Sequence, residues 1–306
     1  MRVLVTGGAG FIGSHIVEHY QGKADVVVLD NLRTGRIKNL KGFRVDFHEG
    51  SILDLELLHQ IMKGVDYVFH LAAMVSVPES MANPIECVHT NTIGTLNVLA
   101  AAAEANVKKL CFSSSCAVYG DSPENPKHED MLPQPKSPYS ETKLAGEHYC
   151  SMYDEQGWLK TACLRYFNVF GPRQDPTSVY AAAIPIFANR ALSGKPLTIF
   201  GDGKQTRDFI NVKDVVAANV FLAEHPEATG AFNTGSGRSI TIEELAEGIV
   251  HYLQSDSPIE FAGERPGDIR HSSASIDKFR ALGWQPAVDF NTGLHQTLDF
   301  FRRTAQ

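Results

Sequence analysis

The sequence predicts an α/β protein: a doubly wound parallel sheet with helices on both faces, joined to a smaller α/β lobe. Two observations carry this. Short apolar runs (RVLVT, ADVVVLD, YVFHLAA, KLCFSSS and TACLRYFN) recur between longer helical patterns. Continuously apolar runs suit parallel strands buried on both faces, and their alternation with helices is that of βαβ units. Second, a glycine cluster, TGGAGFIG from Thr6 to Gly13, stands between the first run and the first helical pattern. The 306 residues, 43% of them apolar, are enough for two lobes.

In chain order, the first strand runs into the glycine cluster. There Gly7 permits a tight turn, Gly10 lets backbone approach a pyrophosphate and Gly13 allows close helix packing, while the helix N-terminus favours an anion. This is the arrangement of a Rossmann dinucleotide site. The second strand ends in Asp30, whose carboxylate can accept both adenosine-ribose hydroxyls and would repel a 2′-phosphate, which favours NAD over NADP. Arg33 and Arg36 lie nearby and leave a phosphate partner open. Further on, NPIECVHTNTIGTLNVLAAAAEA predicts one long amphipathic helix with Asn83 as N-cap, Pro84 at its first position, and an apolar stripe of Ile85, Val88, Thr92, Leu96, Leu99 and Ala103.

KLCFSSS ends in a serine cluster, and five prolines then make Ser122 to Pro138 a loop over the surface. After it comes YSETK. Tyr139 and Lys143 are one helical turn apart on one face. A tyrosine titrates near pH 10 and needs a neighbouring cation to serve as a base at neutrality, which Lys143 would provide. Beyond Asn168, GPRQDP, SGKP and GDGKQTRD are loop signals between short helices. The expected division is residues 1–168 for the dinucleotide domain with a later return at about 209–236, and 169–208 with 237–306 for the second domain.

The net charge of −7 offers no basic patch for nucleic acid or a membrane surface. Five scattered cysteines lack any CxxC pair or Cys/His metal spacing and suit a reducing compartment. No apolar run approaches a membrane span, and the opening MRVLVTGGAG is too short for a signal peptide. The expectations are a cytoplasmic protein and no bound metal.

TGGAGFIG, Asp30, HLAA, NTIGT, SSSCAVYG, YSETK and LRYFNVFGPRQ together resemble the extended short-chain dehydrogenase/reductase family, in its nucleotide-sugar branch of UDP-hexose 4-epimerases. The resemblance covers nearly the whole chain. It implies Tyr139 as catalytic base, Lys143 as the group that lowers its pKa and holds the nicotinamide ribose, and Ser115 as a residue that hydrogen-bonds the sugar O4 or helps relay its proton. It implies NAD held by Gly7, Gly10, Phe11, Ile12, Gly13, Asp30, Asn31, Ser51, Ile52, Leu71, Ala72, Ala73, Asn91, Ser113 and Tyr166 with Tyr139 and Lys143, and places Phe167 near the nicotinamide. For the UDP-sugar it implies Arg207 and Arg265 as pyrophosphate clamps and Phe200 stacked on uracil, with Asn168 and Asp268 also contacting substrate. The family commonly reads GDIRD after the third strand, where this chain reads GSILD, so Ser51 replaces an adenine-binding Asp.

Within that family, dehydratases carry an Asp-Glu pair directly after the hydroxyl residue, and decarboxylases keep a Glu there. Here the positions are Cys116 and Ala117, neither of which is a carboxylic acid. A 4-keto sugar would then take its hydride back on the other face, which is epimerisation. Ser272 falls where the epimerases have a pocket gatekeeper, and a small residue there leaves room for a 2-acetamido group. UDP-N-acetylglucosamine/UDP-N-acetylgalactosamine is the expected pair, with UDP-glucose/UDP-galactose as the alternative and a homodimer as the assembly. A redox enzyme consuming NADPH, or a non-catalytic NAD-binding regulator, are the competing readings.

Overall fold

The computed structural model describes residues 1–175, 183–264 and 270–304. It divides into two compact units, Met1–Gly120 with Glu129–Tyr166 and Val215–Asn233, and Asp121–His128 with Phe167–Asp214 and Thr234–Gln306. The return to the first unit is thus shorter than the 209–236 expected, and part of the proline-rich interval belongs to the second.

The first unit is built on strands β1 (Arg2–Thr6), β2 (Asp25–Asp30), β3 (Asp46–Glu49), β4 (Tyr67–His70), β5 (Lys109–Ser115) and β6 (Thr161–Tyr166). With the Gly230–Thr234 strand they form a seven-stranded sheet in which β1 lies between β2 and β4. β1 to β6 pair in parallel. The order reverses at β1, and ligands of such sheets bind beyond the carboxyl ends of the strands at that point. Helices α1 (Phe11–His19), α2 (Leu55–Ile61), α3 (Val77–Ala82), α4 (Pro84–Val88), α5 (Gly94–Glu104) and α6 (Pro138–Glu155) accompany the sheet. Leu4, Val68, Val98, Leu99 and Leu110 are buried in its core. Each contributes about 1.5–3 kcal/mol of burial.

The start of α6 is fixed by local chemistry. Pro138 takes the first turn, and Ser137 and Ser140 form a reciprocal capping box. Such a box satisfies two otherwise orphaned donors.

Two expectations need correction. The stretch from Pro84 is helical throughout but not one regular helix: a π turn at His89–Ile93 separates α4 from α5. The core face uses Cys87, Asn91, Thr95, Val98 and Ala102, whereas Ile85 is 84% exposed and Val88 45%. Apolar periodicity holds in α5, where Leu99 is buried, but fails in the turns before it, because the core there takes small and polar groups that bond neighbouring elements. The Asn83 side chain, moreover, makes no capping bond. The proline-rich interval, for its part, does not simply lie on the surface, since Lys127 and Met131 are buried. The Lys127 ammonium donates to the carbonyls of Ser122 and Glu124, which makes its burial tolerable.

In the second unit, Thr206–Arg207 is the central strand of three, antiparallel to Ile240–Thr241 and parallel to His271–Ser272. Asn168–Phe170 pairs with Phe209–Asn211, and Leu197–Phe200 with Ile259–Ala262, both parallel. Helices Ala183–Leu192, Ile242–Leu253 and Phe290–Thr304 cover a core containing Phe170, Phe187, Leu245 and Leu298. Among the described residues, no helix is long and apolar enough to cross a membrane, and no cluster of His, Cys, Asp and Glu could hold a metal.

Candidate active site

The glycine loop fits a dinucleotide because side chains are sterically forbidden there. Gly7 has φ 72°, and a Cβ on it would lie 2.9 Å from the Ala72 nitrogen; one on Gly13 would lie 2.2 Å from the Gly7 carbonyl oxygen. The loop is therefore pressed against the end of β4, where Leu71 and Ala72 stand. No side chain caps the N-terminus of α1, which begins with Phe11 and Ile12, so its first amides remain available to an anion.

Asp30 closes β2 and is 6% exposed. Its carboxylate accepts from the Ala9 amide at 2.9 Å and the Leu32 amide at 2.8 Å. Burial raises its pKa, and those two amide bonds oppose the rise. The neighbouring Asn31 is exposed and accepts from the Arg33 amide at 3.1 Å. Arg33 does not serve as a free phosphate partner: its guanidinium pairs with Glu79 at 2.8 Å and with Glu86. Ser51 accepts from the Leu53 amide at 3.2 Å, beside buried Ile52. These residues can hold the pyrophosphate and adenosine of NAD.

The three catalytic candidates come together in the first unit. Ser115 ends β5, while Tyr139 and Lys143 lie in the first turns of α6. Ser115 is hydrogen-bonded to the Tyr139 side chain and its Oγ also accepts from the Ala117 amide at 3.2 Å. The Lys143 ammonium donates to the Ser113 carbonyl at 2.6 Å and lies 5.8 Å from the Tyr139 ring centre. Burial pushes the Tyr139 phenol up to about 12; the Ser115 hydrogen bond opposes this, and Cys116 and Cys87 add to it. Burial pushes the Lys143 ammonium down to about 8. Tyr166 is paired in register with Ser115, and its buried hydroxyl is bonded to Asn219 at 2.8 Å.

Support for this trio comes from residues that motif reading passed over. Glu147, one turn beyond Lys143, accepts from Ser114 Oγ at 2.5 Å and from Arg165 Nε at 2.9 Å and Nη2 at 2.7 Å. Arg165 also donates to Tyr119 Oη at 2.8 Å. A buried ion pair of this kind is strongly destabilised by removal of one partner. It ties α6 to β5 and β6 directly behind Ser115. The Glu four residues after Lys143 was a usable signal in the sequence. Asn91, expected at the cofactor, is buried in the π turn and donates to Thr142 Oγ1 at 3.0 Å.

In the second unit, Ser272 is paired in register with Arg207 and is buried. The structure thus brings two of the expected substrate residues side by side. Buried Asp208, next in chain, accepts from the amides of Ser236, Gly237 and Ala274 at 2.7, 3.0 and 3.1 Å and fixes that edge. The Asn168 amide group donates to the Asp208 carbonyl at 3.0 Å, and Phe200 ends the Leu197–Phe200 strand. Phe167 is buried, with its amide bonded to the Thr234 carbonyl at 3.0 Å. Arg265 and Asp268 lie outside the described residues.

This geometry has counterparts among known proteins. A UDP-glucose 4-epimerase of Mycolicibacterium smegmatis is 38% identical over 100% of both chains. The structure of a UDP-N-acetylglucosamine 4-epimerase from Methanobrevibacter ruminantium, in complex with UDP-N-acetylmuramic acid, superposes with TM-score 0.96 at 42% identity, covering 99% of this chain and 98% of the other. A UDP-glucose 4-epimerase from Thermus thermophilus, in complex with NAD, gives TM-score 0.89 at 40% identity over 99% of each chain. The model of the NAD dependent epimerase/dehydratase family matches residues 3–235, which include the glycine loop, Asp30 and the Ser115, Tyr139 and Lys143 trio. With the cradle, the strand-end carboxylate and that trio all in place, the chain belongs to the NAD dependent epimerase/dehydratase family.

Proposed function

We propose that this enzyme inverts C4 of a UDP-hexose through a 4-keto intermediate, and that its substrates are UDP-N-acetylglucosamine and UDP-N-acetylgalactosamine. When bound, NAD supplies a positively charged nicotinamide that accepts the C4 hydrogen as hydride and returns it. Tyr139 takes the O4 proton as the C4–H bond breaks and gives it back when the ketone is reduced. Ser115 shares a hydrogen bond with that phenol and steadies O4. Lys143 stays charged at neutral pH, since its pKa is about 8, and favours the phenolate that burial alone opposes.

One observation carries the choice of epimerisation. Ser115 is followed by Cys116 and Ala117 in the short helical turn Cys116–Tyr119. At these positions there is no carboxyl group to protonate a leaving hydroxide or to steer loss of carbon dioxide. Without an acid at these two positions, return of the hydride to C4 is the fate these residues favour. For the sugar, the support is Ser272, a small side chain in register with Arg207. Arg207, Phe200, Asn168 and Ser272 are assigned to the nucleotide-sugar, and Gly7 to Gly13 with Asp30 to NAD.

A homodimer belongs to the same reading. Met81, Ile85, Val88, Ile93 and Met152, on α3, α4, the π turn and α6, are all exposed. Apolar residues this numerous on neighbouring helices suit a second copy of the chain, a symmetric interface being the commonest arrangement. A cytoplasmic location is proposed on the sequence pattern, in which five scattered cysteines without a CxxC pair suit a reducing compartment.

The test is incubation of the purified protein, without added cofactor, with UDP-N-acetylglucosamine, UDP-N-acetylgalactosamine, UDP-glucose and UDP-galactose in turn, followed by separation of C4 epimers. Interconversion of the N-acetylated pair is expected. Conversion of the plain hexoses alone would overturn the sugar assignment, and conversion of none would overturn the reaction.

A further inference from the structure

His70 ends β4 between the glycine loop and the helices that carry Asn91, Tyr139 and Lys143, and none of the roles above uses it. It is 1% exposed. Its Nδ1 lies 2.7 Å from Thr6 Oγ1 and its Nε2 lies 3.0 Å from Thr95 Oγ1. Each hydroxyl has further partners, and these determine where the protons are. Thr6 Oγ1 accepts from the Leu71 and Ala72 amides, both at 3.2 Å. Its own hydrogen is therefore directed at Nδ1, which must be the unprotonated ring nitrogen. At the other end, Thr95 Oγ1 donates to the Asn91 carbonyl at 2.5 Å, a group that only accepts. It must accept from His70, so Nε2 carries the hydrogen. The two ends, argued independently, assign the same tautomer.

The chain of bonds continues into the catalytic helix. The Asn91 side chain has its orientation fixed by the Met74 amide, which donates to Oδ1 at 2.7 Å, and its Nδ2 donates to Thr142 Oγ1 at 3.0 Å. Thr142, next to Lys143, donates to the Tyr139 carbonyl at 2.8 Å. We propose that His70, locked as the neutral Nε2–H tautomer, is a positioning residue that links the residue preceding the phosphate loop, Thr6, to the turn of α6 carrying Tyr139 and Lys143. Burial and the Lys143 charge press its pKa down to about 3. The groups packed on it are uncharged apart from Lys143: the two threonines and the Phe112 ring, 5.7 Å away. An imidazolium would place a hydrogen on Nδ1 against Thr6 and break the run of donors and acceptors.

The kinetic part of the test rests on the epimerase reading, whereas the spectroscopic part does not, so the two fail separately. In the NAD-loaded enzyme, ¹⁵N chemical shifts of the His70 ring should show one protonated nitrogen, Nε2, unchanged between about pH 5 and 9, where an ordinary histidine titrates. A titrating ring, or a hydrogen on Nδ1, would overturn the assignment. Thr95→Val removes the hydroxyl and keeps the shape, and Thr95→Ser keeps the hydroxyl. Thr95→Val should retain NAD yet lower kcat about 10- to 100-fold, the scale of a small misplacement of reacting groups. Its activity should also need a higher pH than the parent's, because Lys143 no longer supports the Tyr139 phenolate as well. Thr95→Ser should recover most of both. Equal rates in Thr95→Val and the parent, equal damage in the two variants, or a fall in kcat with an unmoved pH profile would each contradict the positioning role.

Discussion

The Lys143 ammonium donates to the Ser113 carbonyl at 2.6 Å, and this bond fastens the helix of the base to the strand that ends in Ser115. It does so at a cost, because Lys143 is buried and its pKa falls from 10.5 to about 8. Below about pH 8 the charge is present in both folded and unfolded chains, and the fold bears the full penalty. Between about pH 8 and 10.5 only the unfolded chain stays protonated, so the penalty fades and stability rises with pH. The penalty is about 3 kcal/mol.

Lys143→Met should therefore lose activity and gain stability together. The gain at pH 7 is expected to be about 2 kcal/mol, after loss of the Ser113 bond is set against it. It should vanish by about pH 10. Urea midpoints of the parent and the variant at the two pH values decide this, and a gain independent of pH would mean that burial of the charge is not its source.

Tyr139→Phe removes the phenol bonded to Ser115 and leaves the ring. General base catalysis typically contributes about 10²- to 10⁴-fold, so kcat should fall by that range. Binding of the UDP-sugar, followed by calorimetry, should change little. Turnover within a few-fold of the parent would exclude Tyr139 as the base.

Ser272→Tyr tests the sugar. Ser272 is 8% exposed beside Arg207, so a ring there must displace what lies in front of it. Overpacking of about 1 to 3 kcal/mol corresponds to about 5- to 150-fold, and the loss should fall on UDP-N-acetylglucosamine far more than on UDP-glucose. Equal losses on both, measured as kcat/KM, would remove Ser272 from the specificity argument.

Ile85→Glu tests the assembly. At 84% exposure Ile85 has almost no role in the core of one chain. The variant should keep the parent's circular dichroism yet sediment as a monomer at micromolar concentration where the parent sediments as a dimer. A parent that is itself monomeric there would refute the dimer.

Much of this site was legible in the sequence because its chemistry is local. The glycine loop needs glycines at positions fixed by backbone contact, as the Gly13 to Gly7 approach shows, and a carboxylate ending the second strand is visible as Asp30. Tyr139 and Lys143 are related by one helical turn. What stayed hidden depends on pairings between distant segments. His70 reads as one polar residue closing an apolar strand until Thr6 and Thr95, 64 and 25 residues away, are placed on its two nitrogens. Arg33 reads as a phosphate ligand until Glu79 and Glu86 are seen to hold it. The stripe through Ile85 and Val88 failed for a related reason: Asn91 and Thr95 are buried by their bonds to other elements, which hydropathy cannot register.

In the proposed reaction, hydride leaves C4 and returns to C4 with no net redox. The most direct measurement is turnover of UDP-N-acetylglucosamine in deuterium oxide without added cofactor, with the C4 position of the epimer read by proton NMR and mass. The expected product is UDP-N-acetylgalactosamine that keeps the substrate's own hydrogen at C4 and carries no carbon-bound deuterium. Deuterium at C4, or product that forms only when a reduced nicotinamide is supplied, would contradict it.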